Sequence, residues 1–350
     1  METRRLVIPG HWSRETIAQQ VSPAGACIRS GGLVVFPTET VYGLGAGIHD
    51  PNAVRSIFAA KGRPADNPLI VHVASVEVLH DLVDSQELSR WKDVITRFWP
   101  GPVTFLLRKT AAVPGCVTAH MDTVGVRMPA HPVSQLFLES CGIPVAAPSA
   151  NRSGFPSPTR SSHLEEMEGK VDWILDAGEL PLGLESTIIS LSHTPPLLLR
   201  PGPLSVEELQ KWIPGIVFAQ GSSHQPLAPG MKYRHYAPRA QLVLCPYDED
   251  LSRLQQRALL LFRQYSTRGK KVWILSTEET RGVYDQEKIA NSSMGTRQDL
   301  YSVAKNLFDS FRLLDRLGMD VGIVEGFPPR GLGFAIMNRI LKATGENPWD

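Results

Sequence analysis

A chain of 350 residues, 42% of them hydrophobic, is long enough for two globular domains, each with its own core. Lysine plus arginine (36) almost cancels aspartate plus glutamate (35), so the formal net charge is +1 and no overall field gathers nucleic acid. Cys27, Cys116, Cys141 and Cys245 form no C-x-x-C pair, which argues against a zinc knuckle, a redox motif or a disulfide framework. The opening METRRLVIPGHW has no apolar run after its basic pair, and nowhere do about eighteen uncharged apolar residues follow one another. The expectation is a soluble cytoplasmic protein without a membrane contact.

In chain order, GLVVF (Gly32 to Phe36) reads as a short buried strand stopped by Pro37. DPNAVRSIFAAKG reads as a helix, with Asp50 as N-cap, Pro51 in the first turn, Val54, Ile57 and Phe58 on one face, and Gly62 closing it. LIVHV, VTFLL, VGVRM, IPVAA, WILDA, STIISL and PLLLRPG are further strands, with helices around Trp91 to Phe98 and Val133 to Glu139. This predicts an α/β domain on a mixed sheet over residues 1–213. Residues 214–239 lose all periodicity and read as a linker, yet one that gathers Lys232, Tyr233, Arg234, His235 and Tyr236. Such residues contact phosphates, rings and sugars. Over residues 240–350, QLVLC, KKVWILS and DVGIVEG alternate with helices at Leu251 to Tyr265, Asp299 to Leu317 and Leu332 to Lys342. That predicts a second, smaller, Rossmann-like α/β domain with a parallel sheet.

The usual catalytic signatures are missing: no Walker A loop, H-E-x-x-H or G-x-S-x-G occurs, and GLGAG (Gly43 to Gly47) only partly matches a dinucleotide turn. What remains is a set of polar residues at strand ends in Gly or Pro contexts. Thr38, Glu39, Thr40 and Tyr42 of PTETVYGLG follow a buried strand, where open α/β sheets bind ligands; a capped polar turn reads the same way. Lys61 and Arg63, with Asn67 and His72 nearby, are spaced to converge on one anion, or to sit solvated at a helix exit. Ser149 and Asn151 of APSANRSGFPSPT suit phosphate or ribose, and equally plain turn chemistry. Arg200, ending LLLR, is a snorkelling edge residue or a directed anion contact.

Taken together and in order, PTETVYGLG, KGRPADNPLIVHV, APSANRSGFPSPT, ESTII and LRPG resemble the YrdC domain family, whose signature is K-x-R followed far downstream by S-x-N. Lys61, Arg63, Ser149 and Asn151 fill all four positions. The linker PGMKYRHYAP and the ending VEGFPPRGLGFAIMNRILKAT resemble the long form of that family, the two-domain L-threonylcarbamoyladenylate synthases. Residues 1–20 and 247–294 add nothing to the match.

The resemblance implies a nucleotidyltransferase that joins L-threonine, bicarbonate or CO2, and ATP into threonylcarbamoyl-AMP with release of pyrophosphate, for modification of tRNA beside the anticodon. It implies that Lys61 and Arg63 neutralise the triphosphate and the carbamate, with Asn67 and Ser149 on phosphate oxygens and Asn151 fixing their loop. Thr40, His72, Arg127 and Ser186 would hold threonine; Thr123 and Arg200 would contact the nucleotide, and His235 and Tyr236 would close over it. Mg2+ would ride mainly on the ATP phosphates, and the product would pass to a tRNA threonylcarbamoyl transferase, with direct tRNA contact open. Two rival readings stand beside this one. A nucleic-acid-binding accessory protein is disfavoured by the near-zero charge. A carbamoyl transferase of the hydrogenase-maturation type would carry zinc-finger and acylphosphatase segments, and none is visible.

Overall fold

The structure is a computed structural model that describes residues 2–219 and 235–346. Contacts divide them into two compact units, the first holding residues 2–153, 158–181 and 185–219 and the second residues 154–157, 182–184 and 235–346. Among the described residues no helix is long and apolar enough to cross a membrane.

The first unit is built on eleven strands: β1 (Arg4–Val7), β2 (Val34–Phe36), β3 (Gly43–Gly47), β4 (Ile70–His72), β5 (Val103–Arg108), β6 (Thr123–Arg127), β7 (Val145–Ala146), β8 (Trp173–Asp176), β9 (Thr187–Ser190), β10 (Leu197–Arg200) and β11 (Val217–Phe218). Their order is β1-β8-β2-β3-β7-β4-β6-β5-β9-β10-β11. Parallel pairs such as β4–β6 and β5–β9 alternate with antiparallel ones such as β2–β3, β7–β4 and β5–β6, so the sheet is mixed, as expected.

The predicted helix runs Pro51–Lys61. The Asp50 side chain accepts from the Asn52 amide at 2.8 Å, and Gly62 adopts the left-handed conformation (φ 59°) that ends it. GLGAG proves to be β3, buried throughout, rather than a phosphate turn. Its glycines serve close packing: a Cβ on Gly45 would fall 2.8 Å from Val145 Cγ1 and 3.0 Å from the Phe36 ring.

Several elements go beyond the sequence expectation: β11 pairs with β10 inside the stretch 214–239 that reads as linker, and two more stand toward the N-terminus. One is β1, on the sheet edge beside β8. The other is the helix Arg14–Arg29, which contains Pro23 and packs against the helix Pro132–Cys141. A Cβ on Gly25 would lie 2.8 Å from the Ser140 backbone, so the two axes approach as closely as they do only because that residue is glycine. Beneath this pair lies a core of Val34, Phe36, Phe137, Val145 and Leu175. Val71, Phe105, Val126 and Ile189 belong to a separate and larger core.

The second unit carries β12 (Gln241–Cys245), β13 (Val272–Ser276), β14 (Asn291–Ser293) and β15 (Val321–Glu325) in the order β12-β15-β13-β14, every pair parallel. The helices Leu251–Ser266, Leu300–Arg316 and Gly331–Thr344 alternate with the strands. This is the expected parallel α/β unit. Of the linker residues singled out above, Lys232, Tyr233 and Arg234 lie outside the described residues.

Candidate active site

Gly62 turns the chain out of its helix and leaves the Lys61 side chain pointing inward, only 2% exposed. Its ammonium donates to the backbone carbonyls of Ser149 and Asn151, 88 and 90 residues downstream. Ser149 Oγ donates to Asn151 Oδ1 (2.5 Å), Asn151 Nδ2 donates to the Arg152 carbonyl (2.8 Å), and Ser149 bridges Gly43 of β3. The K-x-R and S-x-N segments therefore form one knot. Burial first, and then the neighbouring Arg63 charge, push the Lys61 ammonium well below the ordinary lysine range, against an opposing pull from Glu166. Arg63 itself donates to the Pro68 carbonyl at 3.1 Å. Two cations held together in this way raise the local potential, which an anion relieves. Asn67 stands beside Pro68, 1% exposed, its buried Oδ1 without a hydrogen-bond partner among the described residues.

A second group crosses the sheet. The β4–β6 register sets His72 opposite Arg127, and continuing the β5–β6 register by one residue sets Thr104 opposite Arg127 as well. Opposed residues on neighbouring strands share a face. Thr104 Oγ1 lies 2.8 Å from Ser186 Oγ, and Arg200, paired with Ile188, donates to the Ser186 carbonyl (3.1 Å) and to its hydroxyl (3.2 Å). The result is a buried polar row, His72–Arg127–Thr104–Ser186–Arg200, across β4, β6, β5, the residue before β9, and β10. Ile70, Leu106 and Ile188 on the same face form a small apolar floor with Leu199. The intervening residues face the large core.

The PTETVYGLG loop closes on this row. Thr38 Oγ1 donates to the Val41 carbonyl (2.6 Å), accepts from the Thr40 and Val41 amides (3.2 Å each) and meets Thr40 Oγ1 at 2.8 Å. That rigid turn places Glu39 Oε1 2.8 Å from Arg127 Nη2. Burial, and next the Arg127 charge, lower the His72 imidazole to about 3, so at neutral pH it is an uncharged hydrogen-bonding group. His131, whose Nδ1 accepts from the Val133 amide, is lowered by burial while Glu39 pulls the other way.

Of the sequence candidates, Lys61, Ser149 and Asn151 meet directly, as do Ser186 and Arg200, while His72 and Arg127 stand opposite each other and Thr40 adjoins Glu39. Thr123 begins β6 on the same face as Arg127 and lines a small cleft with Pro68, Ile70 and Gly125. Tyr236 belongs to the second unit, where it is 5% exposed at φ 65°, its ring 5.2 Å from Phe308 and beneath the Arg339 guanidinium at 5.6 Å. His235 neighbours it, the ring centroids 5.6 Å apart. Sequence reasoning missed Thr104, hidden inside an apolar run, and set Glu39 at a ligand-binding strand end or a capped polar turn without giving it a role. A carboxylate between two threonines just after a buried strand was the available signal.

A mixed-sheet domain that knots K-x-R to S-x-N, followed by a parallel α/β unit, defines a YrdC-type protein of the two-domain kind. Residues 26–202 match the family described as "Telomere recombination" (Sua5, YciO and YrdC), and residues 204–345 match "Threonylcarbamoyl-AMP synthase, C-terminal domain". The threonylcarbamoyl-AMP synthase of Pyrococcus abyssi is 44% identical over 340 residues, covering 95% of this chain and 96% of that protein. The Bacillus subtilis threonylcarbamoyl-AMP synthase is 42% identical over 350 residues, covering 99% of each. A crystal structure of P. abyssi Sua5 complexed with L-threonine superposes with a TM-score of 0.88 at 41% identity over 98% of each chain. The chain belongs to the two-domain Sua5 family of threonylcarbamoyl-AMP synthases.

Proposed function

We infer that the protein makes threonylcarbamoyl-AMP from L-threonine, ATP and CO2 or bicarbonate, with loss of pyrophosphate. The observation that carries this reading is the Lys61 knot, which sets K-x-R against S-x-N, in a chain similar to threonylcarbamoyl-AMP synthases from end to end. The threonine amine adds to the one-carbon unit, and an oxygen of the resulting carbamate attacks the α-phosphorus as pyrophosphate leaves. No protein nucleophile is required; positioning, charge neutralisation and exclusion of water suffice, because the carbamate is labile.

Arg63 and Lys61 take the triphosphate and carbamate charge, with Arg63 offering a planar fork that lysine lacks. Asn67 and Ser149 bond phosphate oxygens while Asn151 holds their loop. Arg127 takes the threonine carboxylate, and Thr40, His72 and Ser186 take its remaining polar groups. Thr123 and Arg200 serve the nucleotide, as do His235 and Tyr236 on the strength of the resemblance. Among the described residues no group of three or more histidines, cysteines or carboxylates is placed to hold a metal ion, so we assign Mg2+ to the ATP phosphates. The product would be consumed in the cytoplasm by a tRNA threonylcarbamoyl transferase, the enzyme that modifies adenosine beside the anticodon.

The reading is tested with labelled bicarbonate. Purified protein should carry label into a nucleotide separable from ATP only when threonine is present. Absence of label from every nucleotide would contradict it.

A further inference from the structure

The buried carboxylates of the described residues are not alike. Glu87 accepts from the Arg108 amide (2.6 Å) and from Arg108 Nε (2.8 Å). Asp176 accepts from Arg5, Ser161 and the Gly178 amide, at 2.6–3.1 Å. Glu325, fully buried in the second unit, accepts from Thr280, Tyr284 and Arg297 at 2.7–2.9 Å. Each is saturated, as a carboxylate that serves only the fold should be. Glu39 differs. It is 7% exposed, and although its Oε1 is 2.8 Å from Arg127 Nη2, neither of its oxygens nor Nη2 meets hydrogen-bond geometry with any partner among the described residues. Burying a carboxylate without aligned donors is costly unless a ligand completes its shell.

The missing donor has a definite chemistry. An α-amino acid is a zwitterion whose carboxylate and ammonium are joined through one carbon, and its complement is a cation and an anion side by side. Arg127 and Glu39 form such a pair, and the Thr38 turn fixes the backbone that carries Glu39. We propose that Glu39 receives the α-ammonium of the substrate while Arg127 takes its carboxylate, so that Glu39 is the residue that makes the site select an amino acid over a plain hydroxy acid. This rests on the threonine reading given above. Glu39 would then touch the nitrogen that later attacks carbon.

The test is calorimetric binding of L-threonine and of 3-hydroxybutanoate, its analogue without the amino group, to the full chain and to Glu39→Gln. The unaltered protein should bind threonine at least about tenfold more tightly than the analogue, since an unmet buried charge is worth a factor of that order or more. Glu39→Gln should lose threonine affinity by about ten- to a hundredfold and leave the analogue unchanged or tighter, so that the preference collapses. Equal weakening of both ligands would mean that Glu39 acts only by placing Arg127 and would overturn the proposal, as would unaltered threonine binding in the variant. If the unaltered protein holds the analogue as tightly as threonine, the proposal fails without reference to any variant. If it binds neither ligand, the threonine reading falls first and the proposal with it.

Discussion

Arg200 donates through Nε to the Ser186 carbonyl at 3.1 Å and through Nη2 to the Ser186 hydroxyl at 3.2 Å, tying the end of β10 to the start of β9. The same hydroxyl lies 2.8 Å from Thr104 Oγ1. Ser186 thus joins Thr104 to Arg200. Ser186→Ala removes hydrogen bonds worth about 1 kcal/mol each. The expected outcome is a threonine KM raised about tenfold and a melting temperature lowered by a few degrees, since Thr104 and Arg200 each lose a buried partner, read from initial rates and a thermal scan.

Arg63→Ala should reduce synthesis by a factor of about a hundred or more, the scale of removing one preorganised charge donor from a reacting site. Circular dichroism should remain that of the parent. Arg63→Lys should recover little, because a single ammonium does not reproduce the fork.

Lys61→Met should act on the fold as well as on activity. The side chain is 2% exposed and its ammonium serves two backbone carbonyls, so substitution leaves both acceptors without their donor at about 1–3 kcal/mol each. A lowered urea midpoint together with loss of activity is expected, whereas Arg63→Ala should lose activity alone.

His72 gives an acid limb to stability. Its folded value, about 3, is depressed from 6.5, so the unfolded chain binds the extra proton between those values. The contribution is fully present above about pH 6.5 and is lost as pH falls toward about 3. At about pH 5 the loss should be about 2 kcal/mol. Urea titrations of the parent and of His72→Gln at about pH 7.5 and about pH 5 should show the parent losing that much more than the variant.

Gly45→Ala separates a strand from a phosphate turn. The added methyl meets Val145 and Phe36 at 2.8 and 3.0 Å, so overpacking of about 1–3 kcal/mol is expected, seen as a lower melting temperature. In a phosphate-cradling loop the same change would first weaken nucleotide binding.

What the sequence made legible was local. The helix Pro51–Lys61 could be read because Asp50, Pro51 and Gly62 each supply a cap by their own chemistry, and β12, β13 and β15 because parallel, doubly covered strands are continuous apolar runs, whereas β14, Asn-Ser-Ser, has no such run and was missed. The helix Arg14–Arg29 was hidden by Pro23 and Gly25, whose local preference is overridden by packing on Pro132–Cys141. At the site, residue types left Lys61, Arg63, Ser149 and Asn151 open between ligand contacts and plain turn or surface chemistry, and the resemblance of their motif order to the YrdC family singled them out. That Lys61 spends its ammonium on the Ser149 and Asn151 carbonyls depends on a meeting across 88 residues, which no spacing rule conveys. The row from His72 to Arg200 likewise depends on strand register, and Thr104 and Glu39 acquire meaning only from it.

The most direct measurement is pyrophosphate release by the purified protein with ATP, L-threonine and bicarbonate, omitting each in turn, with mass spectrometry of the quenched nucleotide. Release should require both co-substrates and yield a product with the mass of threonylcarbamoyl-AMP. Release from ATP that is indifferent to threonine, or no release at all, would contradict the proposed function.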